Sequence, residues 1–361
     1  MKNSIKKVLF LGLIVITLTG CTKILKNSDN KSVTNPKTGQ SLTENILCRP
    51  TDEETIKLYL ENGVDLEKLP YCVCDSEYVT DNSKYKLPEK EETVENNEET
   101  KKEEIKEEKV DEKTTVTEEE KTECKAFKVT TGGYEGLWTS IFVKPLAWLI
   151  LFLGKYLNNF GLGLVAVTLL IRLALYPLTR KTAMQSEMMK KIQPELDKLE
   201  KKYEKKDQND KQVMIQKSQE MMAIYKKNNF NPMTGCIASL LQLPIFIAFL
   251  EAINRIPALF EEKFLGLHLG TSPSVGIGNG NWLYIIVIIV VGVSTYFSFK
   301  NTSNTGNEAT QKQTKTMMNV FLVMIVVMSI FMTTALGLYW SVSNLFTLGQ
   351  NYLVKRRSET C

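Results

Sequence analysis

The chain has one histidine in 361 residues and none of the short signatures that organise hydrolytic or nucleotide chemistry. Without HExxH there is no two-histidine helix of a zinc protease, and without GxSxG there is no nucleophile elbow. The lack of a GK[ST] phosphate loop excludes a nucleotide-driven pump, and no apolar stretch carries paired carboxylates for acid–base work. His268, the lone histidine, reads as a surface or interface residue rather than a metal ligand. An enzyme is not expected, and no cofactor or metal is implied.

Other scarcities are local. Large apolar residues are nearly absent from Glu89 to Glu123, EKEETVENNEETKKEEIKEEKVDEKTTVTEEEKTE, so this run cannot bury enough surface to fold as a domain. Internal repeats are missing too, which weighs against a small-solute transporter built from related halves. Cysteines number seven. Cys48, Cys72, Cys74 and Cys124 fall where disulfides are permitted in the topology below, and four cysteines allow three pairings; at least one bridge is expected. Cys72-Val73-Cys74 is too close for an easy mutual bridge and a poor match to zinc-site spacing, while Cys236 and Cys361 should stay reduced.

What the chain does have is apolar sequence in blocks. MKNSIKKVLFLGLIVITLTGC has a lysine-bearing head, an apolar stretch from Val8 to Leu18 and a lipobox ending at Cys21. Residues 1–21 therefore read as a lipoprotein signal, with Cys21 lipidated and the following residues outside the cytoplasm. Residues 22–133 read as a polar and acidic, largely disordered exterior segment, with a small disulfide-held module possible around Thr51 to Leu69. From 134 to 157, Trp138, Phe142, Trp148, Phe152 and Tyr156 alternate with Lys144 and Lys155, the mixture that selects the membrane interface.

The remaining core, 158–355, is expected to be an all-α, five-transmembrane-helix bundle with spans at about 160–180, 232–254, 282–300, 316–333 and 335–353. One helix from Met317 to Leu353 would be about 55 Å long, nearly twice a bilayer core of about 30 Å, so the chain must fold back near Thr333 to Gly337. The loop after the first span carries thirteen lysines and arginines between Arg180 and Lys227, whereas the loop from Arg255 to Asn281 has only Arg255 and Lys263. The positive-inside rule then places the amino terminus outside and the short tail, 356–361, in the cytoplasm.

Within the first cytoplasmic loop, 182–229, Met184, Met188, Ile192, Leu196, Leu199 and Tyr203 share one helix face, and Met214, Met221, Met222 and Tyr225 share another after a break at Asp207 to Asp210. This predicts a helical hairpin with a methionine-rich face suited to varied apolar segments. Polar residues inside spans form two further faces: Ser239 with Gln242, and Trp340, Asn344, Thr347 and Asn351. Such residues commonly bond helix to helix. Arg172 is the most costly of all, roughly 16 Å into the first span from Gly161 at about 1.5 Å per residue, and it requires a wet cavity or a partner.

These segments resemble the YidC/Oxa/Alb insertase family, in particular its Gram-positive, lipoprotein-type members. FVKPLAWLI (142–150), TLLIRLALYPLTRK (168–181), IQPELDKLEKKY (192–203), NPMTGCIASLLQLPIFIAFLEAI (231–253), FLGLHLG (264–270) and GLYWSVSNLFTLGQ (337–350) occur in the family order. The resemblance implies a groove open to lipid and cytoplasm, lined by Arg172, Gln242, Trp340, Ser239, Asn344 and Thr347, in which the arginine attracts acidic residues of an incoming client. It implies nascent membrane proteins and the lipid bilayer as partners, with the Sec translocon, ribosome and signal recognition particle receptor as further ones, and no direct nucleic-acid contact. The tail VKRRSETC is too short for the ribosome binding of long-tailed relatives, and residues 22–133 have no family counterpart. An extracellular lipoprotein scaffold, whose activity would reside in 22–133, is the other alternative.

Overall fold

The computed structural model describes the backbone of residues 22–74, 78–79, 122–204, 206, 210–231, 233–300 and 308–360, and the side chains of these except 78–79, 122–123, 233–241, 308–315 and 357–360. Cys21, the run 89–121 and Cys361 lie outside the described residues. The protein is mostly helical. Its elements are α1 (Glu53–Glu61), β1 (Tyr78–Val79), β2 (Thr122–Glu123), a π-helical turn (Thr139–Val143) leading into α2 (Lys144–Tyr156), α3 (Phe160–Ala174), α4 (Tyr176–Glu204), α5 (Lys211–Lys227), α6 (Met233–Asn254), α7 (Pro257–Glu261), β3 (Lys263–Phe264), β4 (Leu267–His268), α8 (Pro273–Gly278), α9 (Tyr284–Lys300), α10 (Glu308–Phe331) and α11 (Thr334–Thr360).

Residues 22–74 are folded, contrary to the expectation of a largely disordered segment. Leu25, Val33, Leu42, Ile46, Ile56, Tyr59 and Leu66 converge in a small core of their own. Their spacing follows neither a helix nor a strand period, because short bridges such as Ile24 to Thr43 and Thr34 to Ser41 bring them together instead. Asp52 caps α1 by accepting from Thr55 N at 2.9 Å. Disulfides Cys48–Cys72 and Cys74–Cys124 close this module, and β1 pairs antiparallel with β2 beside the second bridge.

The first long apolar stretch is not one straight helix. Asn159 caps α3 through Leu162 N at 3.0 Å, but α3 ends at Ala174 and α4 leaves it at 67°. Pro177 explains the break: it has no N–H to give to the preceding turn and disfavours helical dihedrals at Tyr176. Arg172 is consequently in the last turn of α3, where the carbonyl end of the helix dipole favours a cation. The fold-back after α10 is similarly specific. Thr334 N and Ala335 N, the unpaired donors at the start of α11, bond to Thr271 O at 3.1 Å and Leu269 O at 2.9 Å.

The main core lies where α2 crosses the first turns of α3 and the last turns of α6. Ala147, Ile150, Leu164, Val167, Ala248, Phe249, Ala252, Ile253 and Ala335 are buried there. A Cβ on Gly163 would lie 2.6 Å from Gly154 N, so glycine is what lets α2 and α3 approach so closely. By length and composition, Thr139–Tyr156 is long and apolar enough to cross a membrane, as is the bent α3–α4 pair if counted once; Gln242–Asn254, Tyr284–Lys300 and Thr316–Phe331 are shorter apolar helices.

The disulfide-closed module is held on this end of the bundle by buried charge. Arg255, just after α6, is 1% exposed; it donates to Asn45 O of the module and pairs with Glu135. Lys144 is not at a wet interface, as its aromatic surroundings suggested, but equally buried. It donates to Thr131 O at 2.8 Å and Gly133 O at 2.7 Å, and lies 3.6 Å from Glu135. Glu261 of α7 accepts from Thr51 N and Asp52 N at 2.8 and 3.0 Å.

At the opposite end, α4 and α5 form a hairpin. Ile192, Leu196, Leu199 and Tyr203 of the expected α4 face are buried, and Asp210 caps α5 through Gln212 N at 2.8 Å. Met184, Met214 and Met222 remain exposed.

Candidate functional site

Three helices bring the polar residues of the apolar runs together. Arg172, half-buried near the end of α3, interacts electrostatically with the Tyr339 hydroxyl of α11. That hydroxyl faces Gln242 of α6 and Ser343 one turn along α11. Aromatic packing fixes it: the Tyr339 ring stacks on Phe249 at 4.4 Å, and Phe246 meets Trp340 edge-on at 5.2 Å. Tyr339 and Ser343 are 2% and 4% exposed, so the Tyr339 hydroxyl meets Gln242 and Ser343 away from bulk water. Among the described residues, no carboxylate lies within ion-pair distance of Arg172.

An unpaired buried donor or acceptor costs about 1–3 kcal/mol, and more if charged. A half-buried guanidinium with no carboxylate partner among the described residues therefore suits visiting water or the polar groups of another chain. Nothing in this arrangement supplies a nucleophile or a general base of matched geometry.

The other residues of the expected polar faces have different company. Trp340 Nε1 and Asn344 Nδ2 both donate to Thr295 Oγ1 of α9, at 3.0 and 2.9 Å, so these two tie α11 to α9. Thr347 Oγ1 bonds back to Ser343 O at 2.9 Å within its own helix. The side chain of Ser239 and the whole of Cys21 lie outside the described residues. Beyond the bend, Thr179 Oγ1 donates to Gln350 Oε1 at 3.0 Å and joins the start of α4 to α11.

Comparison with known proteins decides the family. Residues 152–360 match the family model described as 60Kd inner membrane protein. The chain belongs to this YidC/Oxa/Alb family. It is 38% identical over 227 residues, 63% of this chain and 86% of the relative, to "Membrane protein insertase YidC" of Oceanobacillus iheyensis. It is 39% identical over 233 residues, covering 63% and 86%, to the protein of the same name from Alkalihalophilus pseudofirmus. With "Membrane protein insertase MisCA" of Bacillus subtilis it shares 38% over 219 residues, 60% and 79% of the two chains.

Arg172, Gln242, Tyr339, Trp340 and Ser343 all lie within the family's matched region, whereas residues 22–135, with the module and Glu135, precede it. Sequence reasoning missed Tyr339 and Ser343. An aromatic inside an apolar run looks like core packing, and the four-residue step from Tyr339 to Ser343 was the only available signal. It also missed Arg255 and Lys144 as buried cations, since their partners are module carbonyls and Glu135.

Proposed function

We propose that this chain is a membrane protein insertase that helps apolar segments of newly made membrane proteins enter the bacterial plasma membrane, alone or beside the Sec translocon. The observation that carries the reading is Arg172: half-buried in an apolar helix, without an acidic partner among the described residues, beside the Tyr339 hydroxyl and its polar neighbours Gln242 and Ser343. The printed names of the relatives point the same way.

In this reading α3, α6, α9, α10 and α11 are the five spans, and Arg172, Gln242 and Tyr339 line a groove open to the cytoplasm and lipid. Exposed apolar residues along them, including Leu170, Leu173, Ile289, Val293, Val320 and Val327, support lipid contact. α2 lies along the outer surface, since its two ends meet the outer ends of different spans: Gly154 contacts Phe160 of α3, and Glu135, just before the π-helical turn, pairs with Arg255 after α6. Cys21 is the lipid anchor and the module is exterior. The α4–α5 hairpin, with Met184, Met214 and Met222 exposed, receives clients or the signal recognition particle receptor on the cytoplasmic side.

Moving polar residues across about 30 Å of hydrocarbon costs several kcal/mol for each unsatisfied group, and a groove entering from one side shortens that path. Arg172 adds attraction for acidic residues in a medium of low dielectric. Arg172→Ala should reduce insertion of clients with acidic exterior tails, and Arg172→Lys should retain part of the activity. Crosslinks from position 172 or 242 to a stalled nascent membrane protein should appear. Normal insertion of every tested client by the alanine variant would refute the role of the charge.

A further inference from the structure

The β3–β4 hairpin ends in a two-residue turn, Leu265-Gly266, in which both residues have positive φ, +52° and +83°. Glycine takes this conformation freely, but leucine does so against its own Cβ, and asparagine or glycine is the usual residue there. The Leu265 side chain is nevertheless 85% exposed, so no packing inside this chain accounts for it. A large apolar side chain, held outward on a strained tip, indicates a surface outside the fold that covers it.

The hairpin's height is fixed by contacts to the first turn of α3. Asn159 Nδ2 donates to Lys263 O at 3.0 Å, and Phe160 N to Glu262 Oε2 at 3.4 Å. Phe264 lies so close over Gly161 that a Cβ there would meet its ring at 2.8 Å. Beside the same turn, Tyr156, Leu157 and Leu162 are exposed, with Lys263 and Lys155 also at the surface, the latter donating to Cys74 O. Apolar and aromatic side chains flanked by lysines at the outer end of a membrane helix match the boundary between acyl chains and phosphates.

We propose that the β3–β4 hairpin inserts Leu265 into the outer leaflet, forming with the end of α2 a continuous lipid-binding collar around the outer end of α3. This rests on the reading of α3 as a span and α2 as a surface helix. The occupant is lipid because Leu265, Tyr156, Leu157 and Leu162 adjoin the exposed apolar residues of α3, and Lys263 and Lys155 stand beside them where headgroup phosphates lie.

The test uses the unmodified protein in proteoliposomes containing a phospholipid with a photoreactive diazirine near the top of its acyl chain. Adducts are mapped by mass spectrometry. Adducts at residues 263–266 are expected together with adducts on Leu169, Leu170 or Leu173 of α3. Labelling of α3 without residues 263–266 overturns the hairpin inference alone. Absence of label from α3 overturns the span reading on which it rests. A fluorophore on Leu265→Cys, with Cys236 and Cys361 replaced by serine, gives a second readout. Its emission should shift to the blue and resist quenching by aqueous iodide, whereas ready iodide quenching or crosslinking to a partner protein instead of lipid would overturn the proposal.

Discussion

Glu135→Ala should destabilise the protein more than any surface charge deletion, because it leaves buried Lys144 with carbonyl partners only and strips Arg255 of its ion pair, leaving it Asn45 O and the nearby carboxyl of Glu251. Arg255 and Lys144 are each 1% exposed, and Glu135 is the carboxylate within ion-pair distance of both. Removing one member of a fully buried pair costs about 3–5 kcal/mol. The Glu135 side chain is 31% exposed, so water reaches the gap and the expected cost falls to about 2–3 kcal/mol. For a domain of this size that corresponds to a loss of roughly 4–12 °C in melting temperature. The assay is thermal unfolding in detergent, followed by tryptophan fluorescence, with Glu61→Ala as the control. Glu61 forms an exposed pair with Lys57 in α1, and its loss should leave the transition unmoved. Glu135→Leu combined with Arg255→Met should cost less than the two single changes together, since neither leaves the other's charge stranded. A Glu135→Ala protein that melts with its parent would refute the claim that this cluster holds the module to the helices.

Three further outcomes follow from the same geometry. Cys74 and Cys124 are partly exposed whereas Cys48 and Cys72 are buried, so a reductant followed by alkylation and mass spectrometry should open Cys74–Cys124 first; the reverse order would contradict the packing. Burial and the nearby Lys263 hold the His268 imidazole below its ordinary range, so folding disfavours the protonated form. Its contribution is fully present above about pH 6.5 and is lost as the pH falls towards the depressed native value; His268→Gln should flatten this acid-side slope in pH-dependent melting. Thr295→Val removes the acceptor shared by Trp340 and Asn344, and at about 0.6 kcal/mol per interhelical bond in membranes it should cost about 1 kcal/mol in an unfolding titration.

The helical blocks were legible because their apolar runs are long and bounded by chemistry that a sequence displays. Asp210 before α5 and the excess length from Met317 to Leu353 are examples, and both correspond to breaks. The bend at Leu175 was equally present in the sequence as Pro177, but the continuous apolar run from Gly161 to Leu178 masked it. The module was not legible. Its core is built from isolated bridges and two disulfides, so contact order rather than periodicity selects its buried residues. At the site, polar residue type identified Arg172 and Gln242, while direction along the helix decided the rest. Trp340 and Asn344 turn to Thr295 on α9, whereas Tyr339, one residue away, turns towards Arg172.

The bend changes what the arginine costs and where it can act. A straight span to Arg180 would place Arg172 eight residues from the inner boundary, about 12 Å from it at 1.5 Å per residue. In the structure α3 ends two residues beyond Arg172, and α4 departs at 67°. Arg172 thus belongs to the last turn of α3, where the carbonyl end of the helix dipole lowers the penalty of a buried cation without neutralising it as a carboxylate would. A salt bridge would hold the charge but occupy its ligand face; a helix end holds it and leaves that face free. In the insertase reading, this is the required compromise: a cation stable enough to persist within the membrane and still able to receive an acidic group from a client.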